Sequence, residues 1–243
     1  MLLSAGNSIQ DQGRPMRLQP LNSFSGSLSN RVYLSLKTAI LSLSVKPGQI
    51  LRKGEICAQL SISRSPVSEA VTRLAAEGLV DVVPQAGTFV SRFSMAEIRE
   101  GAFLREALEL QAVELVAETI TEDQLTELRR NLRVQEALVA DRDFSGFYKL
   151  DAEMHELILS YTGFRRLAQI AETSWLQVNR ARQMVLPNHD RVRETLEEHR
   201  RILNALEARD PNAARTATRA HLRQLIAYLE PLEDSHPELF QSK

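Results

Sequence analysis

The sequence predicts a mostly α-helical chain, with three helices and a β-hairpin leading into a six-helix antiparallel bundle. Three observations predict it. Between residues 26 and 93, three short stretches with helical apolar spacing are followed by two β-type runs around "PQAG". From Ser94 onward the apolar spacing is helical throughout. The connections between those later stretches are short, which packs neighbouring helices antiparallel.

The totals narrow the class. A chain of 243 residues can bury one large core or two modest ones. With 43% hydrophobic and 25% charged residues it is neither disordered nor a membrane protein in composition. No apolar run approaches the roughly 18 residues that a span needs. The opening "MLLSAGNSIQ" lacks a basic segment followed by a long apolar one, so neither a secretory signal nor a membrane partner is expected. A single cysteine, Cys57, rules out an intramolecular disulfide framework and suits a reducing cytoplasm; it is expected to be a small buried hydrophobe. Net charge is −1, yet residues 26–93 carry eight Lys/Arg against four acids. That basic module on an otherwise acidic chain points to a polyanion as partner of the first part.

Each element has its own signal. Residues 1–25 are rich in Ser, Gly, Gln and Asn without apolar spacing and read as a mobile tail. From Asn30, Val32, Leu36, Ile40 and Leu43 make a helix that Pro47–Gly48 stops. A short helix over about 53–60 turns Ile56, Cys57 and Leu60 inward. In "SPVSEAVTRLAAEGL", Ser65 is the expected N-cap, Pro66 the first helical residue and Gly78 the stop. "LVDVV" and "TFVSRF" form the hairpin. Beyond it, helices are expected near 95–118, 122–140, 143–161, 164–186, 190–208 and 211–230. Ser94/Glu97 and Thr121/Gln124 have capping-box spacing, and Asp210–Pro211 is a cap followed by Pro. The domains are then a tail to 25, a first module over 26–93, a helical module over 94–232 and a C-terminal tail over 233–243.

Three helices and a hairpin in a basic module describe a winged helix-turn-helix, whose third helix enters the DNA major groove N-terminus first. Arg64 at that end can fork onto a guanine or clamp a phosphate, and Ser63, Ser65 and Ser68 offer short hydrogen-bonding groups. Gln85 and Gly87 at the wing tip bring backbone close to a phosphate or the minor groove. The run "PGQIL…EICAQLSISRSPVSEAVTRLAAEGLVDVVPQAGTFV" resembles the DNA-binding domain of the GntR family of bacterial transcription regulators. It departs at Gly54 and Ser68, where members of that family carry arginines; Arg52 or Lys53 stands in for the first. Double-stranded DNA with a palindromic operator is the implied partner, bound by a homodimer.

The helical module turns polar groups toward its own core. Phe147, Leu150, Met154, Leu157 and Ile158 form one face of their helix, and Asp151 and His155 flank it one turn apart. His199 falls among Val192, Leu196, Ile202, Leu203 and Leu206, and His221 among Ala214, Ala217, Leu225 and Tyr228. His189 and His236 read as surface residues. An inward carboxylate without a partner costs several kcal/mol. A divalent ion held by Asp151, His155, His199 and His221 satisfies all four groups: Zn²⁺ first, with Ni²⁺, Mn²⁺ or Fe²⁺ as alternatives. The D-x-x-x-H helix, "EHRRIL" and "ARTATRAHL" are similar to the helical ligand-binding (FCD) domain of the FadR subgroup of GntR regulators, whose metal-binding members hold the ion at those positions. Met154 precedes the first His where that family has Phe.

Arg105 and Glu109 also face inward, and Arg182 lies beside the stripe of Leu167, Ala171, Val178 and Val185. Arg105 and Arg182 are candidate forks for a small carboxylate metabolite at the ion's open positions, the effector class the resemblance also implies. The competing expectations are an ion pair with Glu109 for Arg105 and a partly solvated side chain for Arg182. No spare inward Glu or His is expected beside the four ligands as a clear general base. The expected function is therefore DNA binding, as a repressor, controlled by an organic acid at a metal site and without enzymatic activity. A metal sensor and a His₃Asp hydrolase are the alternatives.

Overall fold

A computed structural model describes residues 16–185 and 189–241 of the chain. The first 15 residues of the expected N-terminal tail, Leu186 at the end of the expected 164–186 helix, Pro187 and Asn188, the Val185 side chain, and Ser242–Lys243 lie outside the described residues. The chain divides into two compact units. One runs to Arg92 and includes Glu238–Gln241; the other is Phe93–Pro237.

In the first unit, Ser27 accepts a hydrogen bond from the Asn30 N–H and starts α1 (Leu28–Leu41). Val32, Leu36 and Ile40 are buried on one stripe. In α2 (Lys53–Leu60) only Ile56 is buried; Cys57 and Leu60 are half-buried, because the helix is too short to cover a wider face. Ser61 closes α2 in the left-handed region at φ 54°. The third helix, α3, spans Arg64–Ala76 with Ser63 as its N-cap, two residues ahead of the expected Ser65. Pro66 still fits, since the first N–H groups of a helix have no intrahelical partner to lose. At the other end Gly78 turns left-handed, its N–H bonding to Ala75 and the Leu79 N–H to the Leu74 carbonyl.

Strands β1 (Val80–Val83) and β2 (Gly87–Val90) pair antiparallel, with Val83 opposite Gly87. The segment before α2 adds a third edge: Leu51 N–H bonds to the Thr88 carbonyl and Val90 N–H to that of Gln49. Residues 16–25 are not a free tail. Leu21–Ser23 form a 3-10 turn, and the Ser35 hydroxyl donates to the Gln19 carbonyl at 2.8 Å.

The second unit contains α4 (Met95–Thr119), α5 (Glu122–Ala140), α6 (Phe144–Tyr161), α7 (Arg165–Ser174), α8 (Leu176–Val185), α9 (His189–Glu207) and α10 (Pro211–Ser235). Side chains of Ser94, Thr121, Asp143 and Asp210 cap four of the starts, with the reciprocal box complete at Thr121/Gln124. The stretch expected as one helix over 164–186 is two, broken at Trp175. The break brings the buried indole into a cluster with Ala112, Leu159, Ala171 and Val178. Because Ala171 and Val178 face the same core on either side, the apolar spacing alone conceals it. The last helix runs past 230 through Pro231, and the expected tail is ordered as far as Gln241. Pro237–Leu239 form a 3-10 turn, Phe240 is buried, and Arg92 Nε donates to the Glu238 carbonyl at 3.0 Å.

The main core of this unit joins α4, α5, α6, α9 and α10 through Val116, Leu128, Phe147, Ile158, Leu206 and Ala214, among others. Leu128 is fully buried. Leu128→Ala should destabilise the fold by about 2–5 kcal/mol. Urea denaturation is expected to show this as a lower midpoint with an unchanged slope.

Candidate metal centre and nucleic-acid interface

Four side chains from three helices meet inside the second unit. Asp151 and His155 come from successive turns of α6, His199 from α9 and His221 from α10. They are 1%, 3%, 0% and 6% exposed, and one ligand-type atom from each lies within 4.8 Å of the others. His199 Nε2 is 3.2 Å from Asp151 Oδ1, and His155 Nε2 is 3.1 Å from His221 Nε2.

The protons of these imidazoles are accounted for on their outer side. His155 Nδ1 bonds to Glu109 Oε2 at 2.6 Å, His221 Nδ1 to Glu198 Oε2 at 2.7 Å and His199 Nδ1 to Gln135 Oε1 at 2.7 Å. Each partner oxygen accepts, so each Nδ1 must donate. Burial pushes His199 and His221 well below the ordinary histidine range, aided by neighbouring histidine and arginine charge. Burial also lowers His155, against the opposing pull of Glu109. The rings are therefore neutral, and each Nε2 turns a lone pair inward. Among the described residues, Asp151 Oδ1 and His199 Nε2 are buried without a hydrogen-bond partner. Acceptors packed against acceptors, with no proton between them, repel unless a cation lies among them. The donor set, three imidazoles and a carboxylate, fits a borderline divalent ion.

The surrounding groups are themselves tied. Arg105 Nε bonds to Glu109 at 2.5 Å, and both are buried. Burial alone would raise the Glu109 carboxyl, but Arg105 and His155 outweigh it and hold it at about 2. Arg191 forks onto Glu198 with two bonds of 2.8 Å; burial nevertheless leaves Glu198 above its usual value. Gln135 donates to Asn131, which donates to the Leu150 carbonyl at the start of the Asp151 turn. Phe147 stacks on the His199 ring with centroids 6.4 Å apart.

The sequence brought the four central residues together correctly but missed much of this support. The inward Glu109 meets His155 and Glu198 meets His221, contacts the sequence does not predict, and each is also paired with an arginine, so neither is a spare general base. Glu198 directly precedes His199, yet it serves His221 on another helix, so no spacing in one helix reveals it. Gln135 lies 64 residues from His199 and carries no local signal. The ion pair expected as the alternative for Arg105 is present. Arg182 keeps only a small exposed fraction, 11%, of the partly solvated side chain expected, and its guanidinium pairs with Asp151. Burial and the nearby Arg105 charge lower it to about 10. Of the other histidines, His236 is exposed, whereas His189 is half-buried against the edge of Phe144.

The first unit presents the expected DNA-facing residues. Ser63, Arg64 and Ser65 are exposed at the start of α3, and Gln85 and Gly87 are exposed at the hairpin tip. Lys53 and Ser68 meet, with Nζ 3.5 Å from Oγ, so the starts of α2 and α3 offer a shared polar edge. Arg52 is exposed and pairs with Glu55 at 3.3 Å. Gln85 at φ 63° and Gly87 at φ 130° make the tight tip, and at Gly87 a Cβ would be strained. Behind α3, Tyr33 donates to Glu77 at 2.5 Å while Arg73 lies over its ring. Arg64→Ala should weaken binding to a cognate DNA site by about 1–3 kcal/mol, read by fluorescence anisotropy at fixed salt. An unchanged affinity would remove Arg64 from the interface.

Comparison with known proteins agrees with both units. Residues 28–90 match the family described as bacterial regulatory proteins, gntR family, and residues 100–224 match the FCD domain. A transcriptional regulator of the helix-turn-helix type from an unstable DNA locus of Streptomyces ambofaciens is 34% identical over 86% of this chain and 88% of its own. The transcriptional repressor RspR of Escherichia coli is 28% identical over 89% of this chain and 95% of its own. The solved structure of E. coli McbR/YncC superposes with a TM-score of 0.74 at 26% identity, covering 86% of this chain and 99% of the other. The chain thus belongs to the GntR family of bacterial transcription regulators, in the FadR-type subgroup that carries an FCD domain.

Proposed function

We propose that this regulator is a repressor whose hold on DNA is set by a small organic acid, bound beside a divalent ion that Asp151, His155, His199 and His221 hold. The observation that carries this reading is the inward set of acceptor atoms whose protons are committed elsewhere. When bound, the ion supplies positive charge and open coordination positions for carboxylate oxygens. Glu109, Gln135 and Glu198 fix the tautomer and tilt of the three imidazoles, so the ring nitrogens are preorganised before anything binds. Arg105 and Arg182 add cationic donors at the same place. Both arginines also brace the centre, but Arg105 Nη2 is left buried without a partner among the described residues, a donor a sensor of the ion alone has no use for, which favours the acid as signal.

The repressor assignment draws on RspR and on the repressor NanR of Klebsiella aerogenes, 27% identical over 74% of this chain. The chain acts as a homodimer on a palindromic operator, and the acid shifts the population toward an arrangement of the two winged helices that does not fit the half-sites. The centre binds without turnover, so an acid incubated with the protein is recovered unchanged.

Metal content tests the centre. After dialysis against micromolar Zn²⁺, elemental analysis should find about one ion per chain in the wild type and less than about a tenth of that in His199→Ala/His221→Ala. Glu198→Gln should lower zinc affinity about 10–100-fold, in competition with a chromogenic chelator. Equal zinc in the double variant would sink the site. A gel shift in which added Zn²⁺ alone switches DNA binding, with no acid effective, would favour the metal sensor instead.

A further inference from the structure

The charged groups around the histidine cluster form three pairs, Arg182–Asp151, Arg105–Glu109 and Arg191–Glu198. The three imidazoles between them each commit Nδ1 to an acceptor on the outer side, Glu109, Gln135 or Glu198. Each pair sums to zero, so none of the three has carboxylate charge to spare for an added cation. A divalent ion added among them brings a surplus of two positive charges that these pairs do not offset, and uncompensated buried charge is strongly disfavoured. One carboxylate removes half of that surplus. Two remove it.

Donors are placed for the second. Arg105 Nη2 and Trp175 Nε1 are both buried without a hydrogen-bond partner among the described residues. The Arg105 guanidinium lies 5.3 Å from the indole ring, so the two donors share one locality. Two orphan donors with no acceptor between them call for an oxygen-rich anion. Arg182 is engaged by Asp151, the residue an ion would recruit, so ion binding frees its fork for the other end of the same ligand.

We propose that the effector is a compact dicarboxylate dianion, with one carboxylate at the histidine cluster and Arg182 and the other at Arg105 and Trp175. This rests on the metal-binding reading above and specifies the acid. Trp175 is the single tryptophan of the chain, so its emission reports directly on the second carboxylate.

The experiment uses the full-length protein, stripped with a chelator and reloaded with Zn²⁺, its occupancy confirmed by elemental analysis. It is titrated with malonate, succinate, malate and adipate as dianions, with butyrate and lactate as monoanions, and with inorganic phosphate. Tryptophan emission and calorimetry are read together. At least one dicarboxylate should shift the emission and bind about tenfold or more tighter than butyrate, a preference that shrinks to about threefold or less without zinc. In calorimetry Trp175→Phe, which keeps an aromatic side chain and removes the N–H donor, should lower dicarboxylate affinity several-fold. Arg105→Lys, which keeps the charge and removes the fork, should do the same.

Butyrate or lactate binding as tightly as every dicarboxylate overturns the proposal. So does phosphate binding more tightly than all of them, or a dianion preference that is unchanged in stripped protein. The absence of saturable dicarboxylate binding overturns it as well. Failure to retain zinc removes the metal reading and this proposal together, whereas zinc retained with a monoanion preference removes only the latter.

Discussion

The second unit is organised around a set of hydrogen-bond acceptors that face one another with no proton to share. Three imidazole nitrogens and a carboxylate oxygen lie within 4.8 Å, all in side chains shielded from water. Such a grouping survives folding only if each member is pinned from behind, and each is. The Nδ1 atoms are spent on Glu109, Gln135 and Glu198, and Asp151 is held by Arg182. Those anchors lie on α4, α5, α8 and α9, while the ligands lie on α6, α9 and α10. The helices' mutual placement and the polar centre are therefore one constraint.

Much of this was legible in the sequence because its parts are local. An Asp and a His four residues apart share a helix face whatever the rest of the chain does, and His199 and His221 declare themselves by interrupting apolar stripes. Helix starts at Ser94, Thr121 and Asp210 were readable because a cap is a contact over three residues. The failures are of two kinds. Where α7 passes to α8, Ala171 and Val178 keep facing one core across the kink, so the apolar spacing conceals the break at Trp175. Gln135 and Glu198 act across helices on residues 64 and 23 positions away. That pairing depends on how helices are assembled, and no window of sequence contains it.

The same division runs through the first unit. The stop at Gly78 follows from a residue that favours a left-handed turn. The start at Ser63 was misplaced because Ser63 and Ser65 are both competent caps and Pro66 fits anywhere in the first turn. The third edge of the hairpin is backbone pairing from residues 49–51, a partner supplied from a distant part of the chain. Tertiary pairing decides such details, and the local pattern permits several.

The order of the ligands along the chain has a consequence for how the molecule is made. His221 follows Asp151 by 70 residues. At roughly 5–20 residues per second, the ribosome takes about 4–14 s to cover that distance. Asp151 has Arg182 after 31 residues and His199 after 48, but His155 lacks His221 until α10 is made, so that side of the polar centre stays open longest. The polar centre is thus assembled in steps along the growing chain, and the last helix completes it.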